Sequence, residues 1–149
     1  MASGGGDAFT TLVFQVVQLI RLFTTAGEAL AKPAGQTLAR WLVLEAVQDE
    51  PATVAQTARA LHLARQSVQR VADLLEQDGL AVYQANPRHR RAKLLRLTPQ
   101  GRSALRAIQA AQRSWADALG AELGEADLRL ASTVLERVLQ AVGKPASPP

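Results

Sequence analysis

The sequence predicts a mainly α-helical fold with one small β-hairpin and long helices towards both ends. Three observations support this prediction. Apolar residues recur at helical spacing through most of the 149 residues. Thr53 and Gln56 have the spacing of a capping box, which marks a helix start. Two short strand-like segments, 80–84 and 93–97, flank a basic stretch that contains a proline.

The first helix is expected at 7–31, between a flexible tail and a proline. Asp7 is a favourable N-cap, and Pro33 cannot continue a helix. Residues 1–6 are glycine-rich, and residues 143–149 contain three prolines, so both segments are expected to be flexible tails.

Two shorter helices joined by a tight turn are expected after a second helix at about 34–47. The Thr53 hydroxyl can accept from the amide of Gln56, whose side chain reaches back, so the third helix begins there. Residues 62–64 form the turn, and the fourth helix ends at Gly79. Helical periodicity turns one polar face of the fourth helix outward.

A fifth helix is expected at 99–119, because Thr98 supplies a cap oxygen and Pro99 suits the first helical position. Gly120 is expected to stop this helix. A sixth helix follows at about 125–142, with acidic residues at its start where the helix dipole favours them.

The positive charge is concentrated in one segment. Residues 61–106 contain nine basic and three acidic residues, a net charge of +6, whereas the whole chain carries +4. This distribution is typical of a polyanion binder, although a solvated basic surface is the alternative.

These elements predict a winged helix-turn-helix. The fourth helix suits the major groove of DNA, and the basic hairpin suits the minor groove. The residues predicted to contact DNA are Arg65, Gln66, Ser67, Gln69 and Arg70 on the helix, and Arg88, Arg90, Arg91 and Lys93 on the hairpin. An ordinary solvated helix face and an exposed basic loop are the alternatives.

The segments 61–70, 74–80 and 90–102, together with 36–44, resemble the MarR family of bacterial transcriptional regulators. The resemblance implies a single domain over 7–142, with the winged helix-turn-helix at about 36–98. It also implies a homodimer on a pseudo-palindromic DNA operator, in which the first, fifth and sixth helices (about 7–31 and 99–142) form the dimer interface.

Two positions depart from the family pattern. His89 stands where the family usually has an aspartate that orients the wing arginine, so Arg91 is expected to be held differently. Ala64 stands where the family often has a serine or threonine cap for the fourth helix, so the cap is either supplied by another group or lost at a cost of about 1 kcal/mol.

The resemblance also suggests a small aromatic effector that weakens DNA binding. Arg21, Phe23, Arg40 and Trp41 are the candidate pocket residues, although Phe23 and Trp41 are better explained as plain core.

Other function classes find little support in the sequence. It contains no cysteine, its two histidines form no convincing metal set, and it has no catalytic motif, so we expect no enzyme, metal or cofactor. We expect no membrane partner, because no uninterrupted apolar run reaches spanning length and no signal-type segment is visible; the expected location is cytoplasmic. The function we expect from the sequence is that of a sequence-specific DNA-binding repressor. The main alternative is a winged-helix protein-interaction module that binds no operator.

Overall fold

The computed structural model describes residues 4–144. Its helices are α1 (Gly4–Ala31), α2 (Leu38–Ala46), α3 (Val54–Leu61), α4 (Arg65–Gln77), α5 (Pro99–Leu123) and α6 (Glu125–Val142). Its strands are β1 (Ala52–Thr53), β2 (Ala81–Gln84) and β3 (Leu94–Leu97). The mainly α-helical fold with a small hairpin is confirmed. We call the hairpin and its loop, residues 81–97, the wing.

The chain divides into two compact units, one up to Ala110 and one from Ala111 onward, and α5 crosses the boundary. The single domain expected over 7–142 therefore stays a prediction. Of the tail expected at 143–149, only residues 143 and 144 lie within the described residues.

The core of the first unit holds α4 against the wing. Its largest fully buried side chains are Leu44, Leu75, Leu95, Leu97, Ile108, Val43, Val68 and Thr57. Burying one large apolar side chain contributes about 1.5–3 kcal/mol, so this shared core fixes the position of α4 on the sheet. The opposite face of α4 is left at the surface.

β3 is the central strand of the sheet. It pairs antiparallel with β2, with Ala81 opposite Leu97, and with β1, with Ala52 opposite Leu95. β1 was not predicted, because two residues are too few to show an alternating pattern. Its pairing ties the start of α3 to the wing.

α1 begins at Gly4, so the flexible tail predicted at 1–6 is wrong for residues 4–6. The Thr10 hydroxyl donates to the carbonyl of Gly6 at 3.0 Å, which gives this glycine turn an additional hydrogen bond. The acidic side chain of Asp7 then lies within the first turns, where the helix dipole favours it.

α2 begins at Leu38, later than the predicted start near residue 34. Pro33 lies in a short 3₁₀ turn, and Gly35 after it has a left-handed backbone with φ of 71°. Thr37 then caps α2, because its hydroxyl accepts from the amide nitrogen of Arg40 at 3.2 Å.

α5 continues through Gly120 to Leu123, so the stop predicted at Gly120 is wrong. Glycine inside a helix costs only about 1 kcal/mol relative to alanine, which makes it a weak stop signal. Gly124 separates α5 from α6 instead, with φ of 85°. α6 has its predicted bounds.

α1 and α6 expose large apolar side chains in a single subunit. In α1 these are Phe9, Val13, Phe14, Val17, Leu19, Ile20, Leu22 and Phe23, and in α6 they are Leu128, Leu130, Val134, Leu135, Leu139 and Val142. No residue of α6 is buried within the described range. Phe23 is 54% exposed, so the core position considered for it is wrong.

By length and composition alone, one helical stretch in the described residues, Gly4–Ala34, could cross a membrane. Its most apolar part has a mean hydropathy of 1.4 and contains no buried residue. This finding qualifies the expectation that no apolar segment reaches spanning length. Arg21 lies near the middle of this stretch, where a charge would be costly within a membrane, whereas Asp7 and Glu28 lie towards its ends.

Candidate nucleic-acid interface

α4 presents a polar face to solvent, as its periodicity predicted. Val68, Ala72 and Leu75 are buried on the core side. The residues predicted to contact DNA from this helix are all exposed: Arg65, Gln66, Ser67, Gln69 and Arg70.

The start of α4 is open to solvent. His62 ends α3 with a left-handed backbone (φ 53°), and the turn leads to Ala64, which gives the helix no side-chain cap. The first amides of α4 therefore have no side-chain acceptor. Amides at a helix start, together with the helix dipole, favour an anion such as a phosphate.

The wing brings further cations beside the start of α4. A cleft of about 380 Å³ is lined by α4 and wing residues that include Arg65, Gln69, Tyr83, Arg91 and Lys93. A neighbouring groove of about 630 Å³ includes Arg65, Arg88 and His89. Arg90 is exposed in the same loop. Arg65 and Gln69 are thus the predicted α4 contact residues that the structure brings together with the wing.

None of these cations forms an ion pair within residues 4–144. Within residues 4–144 the ion pairs are Arg40 with Asp78 and Arg129 with Glu125, so none involves a predicted DNA-contacting residue. No carboxylate among residues 4–144 pairs with Arg91, and the expectation that His89 changes how Arg91 is held stays a prediction. Exposed, unpaired cations lose little when they bind phosphate, since no internal partner must be given up.

The candidate effector residues do not share one described cavity. Arg40 lines a groove of about 830 Å³ between α2 and α4, with Gln66, Ser67 and Arg70. Trp41 is half-buried and its indole nitrogen donates to Glu45 at 3.0 Å. Arg21 and Phe23 lie exposed on α1.

Arg40 also makes a contact that the sequence did not predict. Its guanidinium lies 2.6 Å from the carboxylate of Asp78, the residue that caps the end of α4. The two residues are far apart in the chain, so no local pattern indicates the pair. The contact ties α2 to the C-terminal end of α4.

A hydrogen-bonded triad links α4 to β2, and it too was not predicted. The Gln69 amide nitrogen donates to Asp73 at 2.8 Å and to the Tyr83 hydroxyl at 2.9 Å. The Tyr83 hydroxyl donates to the same Asp73 oxygen at 2.7 Å. Burial, with the hydrogen bond to Asp73 adding to it, raises the pKa of Tyr83 well above its usual value.

No group of three or more His, Cys, Asp or Glu side chains among the described residues could hold a metal ion. The site combines cations, amides and neutral hydrogen-bonding groups with two carboxylates of α4, Asp73 and Glu76. That set of groups suits a phosphate backbone and base edges.

The comparisons with known proteins point to one family. The model of the MarR family matches residues 34–92, which include α2, α3, α4 and most of the wing. An uncharacterised protein of Mycobacterium tuberculosis is 46% identical over 102 residues, which cover 68% of this chain and 71% of that protein.

Solved structures share the fold over nearly the whole chain. The MarR family transcription regulator SP03579 is 26% identical, with a TM-score of 0.81 over 96% of this chain and all of that one. Reduced AbfR bound to DNA is 23% identical, with a TM-score of 0.75 over 97% of this chain and all of that one. Staphylococcus aureus MarR in complex with salicylate and kanamycin is 15% identical, with a TM-score of 0.80 over 98% of this chain and all of that one.

Members of this family are transcription regulators rather than enzymes. Three observations agree with membership of this family. The polar face of α4 is exposed, the wing cations form no ion pair within residues 4–144, and the family model matches residues 34–92. The chain therefore belongs to the MarR family of winged-helix, DNA-binding transcription regulators.

Proposed function

We propose that the protein is a cytoplasmic homodimer that represses transcription by binding a pseudo-palindromic operator in duplex DNA. α4 of each subunit enters a major groove, and the wing reaches the adjacent minor groove. The two half-sites then lie roughly 34 Å apart, one helical turn of DNA.

One observation carries this proposal: the predicted contact residues of α4 and the wing are exposed, and their cations have no internal ion pair within residues 4–144. Arg65 and Arg70 suit guanine O6 and N7, and Ser67 near the helix start suits a phosphate. Arg88, Arg90, Arg91 and Lys93 suit the narrow, electronegative minor groove.

The dimer is supported by apolar surface that a single subunit leaves in water. α6 has no buried residue in the described range, and Phe14, Leu22 and Leu139 are each more than 60% exposed. Exposed apolar surface of this extent marks an interaction site. A second copy of the chain would cover it and would supply the second α4 that a two-fold operator requires.

Repression needs no contact beyond DNA binding itself. A dimer that occupies two successive major grooves on one side of a duplex excludes other proteins from that segment. The proposed cytoplasmic location follows from the DNA partner.

Changing Arg70 to Ala is expected to weaken operator binding by about 1–3 kcal/mol per half-site and to relax the sequence preference. Lys32→Ala is the matched control, because it removes one positive charge from an exposed position of the 3₁₀ turn, outside α4, the wing and the helices of the proposed dimer interface. Affinity should be measured by fluorescence anisotropy on a duplex selected from a random pool. Equal affinities of Arg70→Ala and the parent protein would exclude Arg70 from base reading.

Salt dependence separates the proposed repressor from a winged-helix interaction module. A dimer that neutralises several phosphates should lose affinity steeply between 50 and 200 mM salt, by about 10³-fold or more. A weak, flat salt response would favour the interaction module instead.

We further propose that a small aromatic ligand releases the protein from DNA. The support is the S. aureus MarR structure with salicylate, which has the same fold. Of the four candidate residues, Arg40 is the one that lines a described groove, between α2 and α4. A carboxylate could pair with its guanidinium there.

This ligand proposal predicts a shift in thermal unfolding. A phenolic acid present at 100 times its Kd should stabilise the protein by about 2.7 kcal/mol through mass action. Melting should be followed across a panel of phenolic acids at millimolar concentration, with benzyl alcohol as an uncharged control. The absence of a shift with every acid would exclude such an effector.

A further inference from the structure

The triad of Gln69, Asp73 and Tyr83 determines which hydrogen-bonding groups α4 offers to DNA. Gln69 and Asp73 are exposed on the outward face of α4, and Tyr83 reaches them from β2. Tyr83 is half-buried and its ring packs against the core of the first unit, so its hydroxyl is held in place.

The orientation of the Gln69 amide follows from chemistry. An ionised Asp73 carboxylate can only accept hydrogen bonds, so the Gln69 group 2.8 Å away must be the nitrogen. The Tyr83 hydroxyl hydrogen is used on Asp73, so its oxygen accepts from the same Gln69 nitrogen. The Gln69 amide nitrogen is therefore turned towards Asp73 and Tyr83, and both of the hydrogen bonds that it donates stay inside the protein.

The carbonyl oxygen Oε1 of Gln69 is then the part of the amide left to contact DNA. Asp73 likewise offers acceptor oxygens beside it. The familiar paired contact of glutamine with adenine needs one donor, for N7, and one acceptor, for the N6 amino group. A Gln69 whose nitrogen is bonded to Asp73 and Tyr83 offers DNA its acceptor in preference to its donor.

We infer that Asp73 and Tyr83 are positioning residues that hold Gln69 as a hydrogen-bond acceptor, so that it selects a base with an exocyclic amino group. In the major groove those bases are adenine, through N6, and cytosine, through N4. Guanine and thymine present only acceptors and a methyl group at the corresponding position, so the acceptor pair of Gln69 and Asp73 disfavours them. This inference rests on the proposed entry of α4 into the major groove.

The experiment is selection of bound duplexes from a random pool by the full-length protein and three variants, Gln69→Ala, Tyr83→Phe and Asp73→Asn. The parent protein should show one position per half-site that is restricted to adenine or cytosine on one strand. Adenine and cytosine are counted separately, so the readout shows which amino group is used.

Tyr83→Phe keeps the ring and removes only the hydroxyl. It should lower the preference for adenine and cytosine over guanine and thymine at that position by about tenfold, because the freed amide can also donate. Asp73→Asn should act in the same direction, Gln69→Ala should abolish the preference, and the positions read by Arg70 should not change. Tyr83→Phe with an unaltered preference at that position would overturn the inference, as would Gln69→Ala with an unaltered preference.

A second readout tests the triad without DNA. Tyr83 is the only tyrosine, so tyrosinate absorbance near 295 nm reports this residue alone. Its pKa is raised in the folded protein, by burial first and by the Asp73 hydrogen bond second. Asp73→Asn should move the pKa back towards the usual value, and an unchanged titration would show that the triad does not form in solution.

The DNA selection and the tyrosine titration together distinguish failure of the proposed function from failure of this inference. A parent protein that selects no DNA sequence would remove the proposed function and the base preference together, whatever the tyrosine titration gives. A parent protein that selects an operator with no position restricted to adenine or cytosine would overturn this inference alone.

Discussion

Replacing Leu139 by Asp is expected to separate the proposed homodimer into folded single subunits and to lower operator affinity by about 10²- to 10⁴-fold. Leu139 is 71% exposed in the single subunit, so the change costs the fold of that subunit little. Buried at an interface between copies, an unpaired carboxylate would be strongly unfavourable. The affinity loss follows because two linked α4 helices bind as one unit, whereas two separate subunits do not.

The matched control is Gln140→Asp. It adds the same charge to the same turn of α6, at an exposed residue that is already polar. Sedimentation at micromolar concentration should give a monomer for Leu139→Asp and a dimer for the parent protein and the control. A dimeric Leu139→Asp would place the interface elsewhere, and a monomeric parent protein would contradict the homodimer.

Replacing Gly101 by Ala is expected to destabilise the first unit by about 3 kcal/mol, at the upper end of the usual cost of overpacking. A Cβ at Gly101 would overlap the carbonyl oxygen of Leu80 and lie 2.9 Å from its carbonyl carbon. That carbonyl cannot easily withdraw, because it accepts from the amide of Thr98 at 3.1 Å. The clash therefore falls on backbone at the point where α4, β2 and α5 meet.

Gly120→Ala is the control for this prediction, because it makes the same chemical change in the same helix. A Cβ at Gly120 meets nothing within 4 Å, and alanine is the better helix former by about 1 kcal/mol. Gly120→Ala should therefore raise the melting temperature by a few degrees, whereas Gly101→Ala should lower it by roughly 10 °C. If Gly101→Ala melted at the same temperature as the parent protein, the Leu80 backbone would have to move enough to accommodate the added Cβ.

Much of the fold could be predicted because its signals are local. The capping box of Thr53 and Gln56 forms as expected, with bonds of 2.9 and 3.1 Å. Thr98 caps α5 by accepting from the amide of Gly101 at 3.1 Å. Each of these pairs lies within one turn of helix, so the chain sequence alone specifies it.

The errors arose where weak local signals competed with tertiary packing. Gly120 suggested a helix end, but the true end needs the positive φ of Gly124. Residues 34–37 appeared helical, yet the left-handed Gly35 leaves Thr37 as the cap. Neither choice can be made from propensities, which differ by only about 1 kcal/mol.

The polar contacts that shape the candidate interface could not be predicted at all. Arg40 meets Asp78, and Tyr83 meets Gln69 and Asp73, only after α2, α4 and β2 have packed on their common core. The composition of the α4 face was visible in the sequence. Which of its hydrogen-bonding groups remain available to DNA was not.

The short strand β1 has a mechanical consequence for the wing. Because β3 is hydrogen-bonded to a strand on each side, the sheet holds the base of the wing rigidly. Bending is then confined to the loop 85–93, which carries the four wing cations. In the proposed DNA complex the loop would adjust to grooves of different width while α4 keeps its setting, so tolerance for DNA shape and stringency for DNA sequence would belong to separate parts of one small fold.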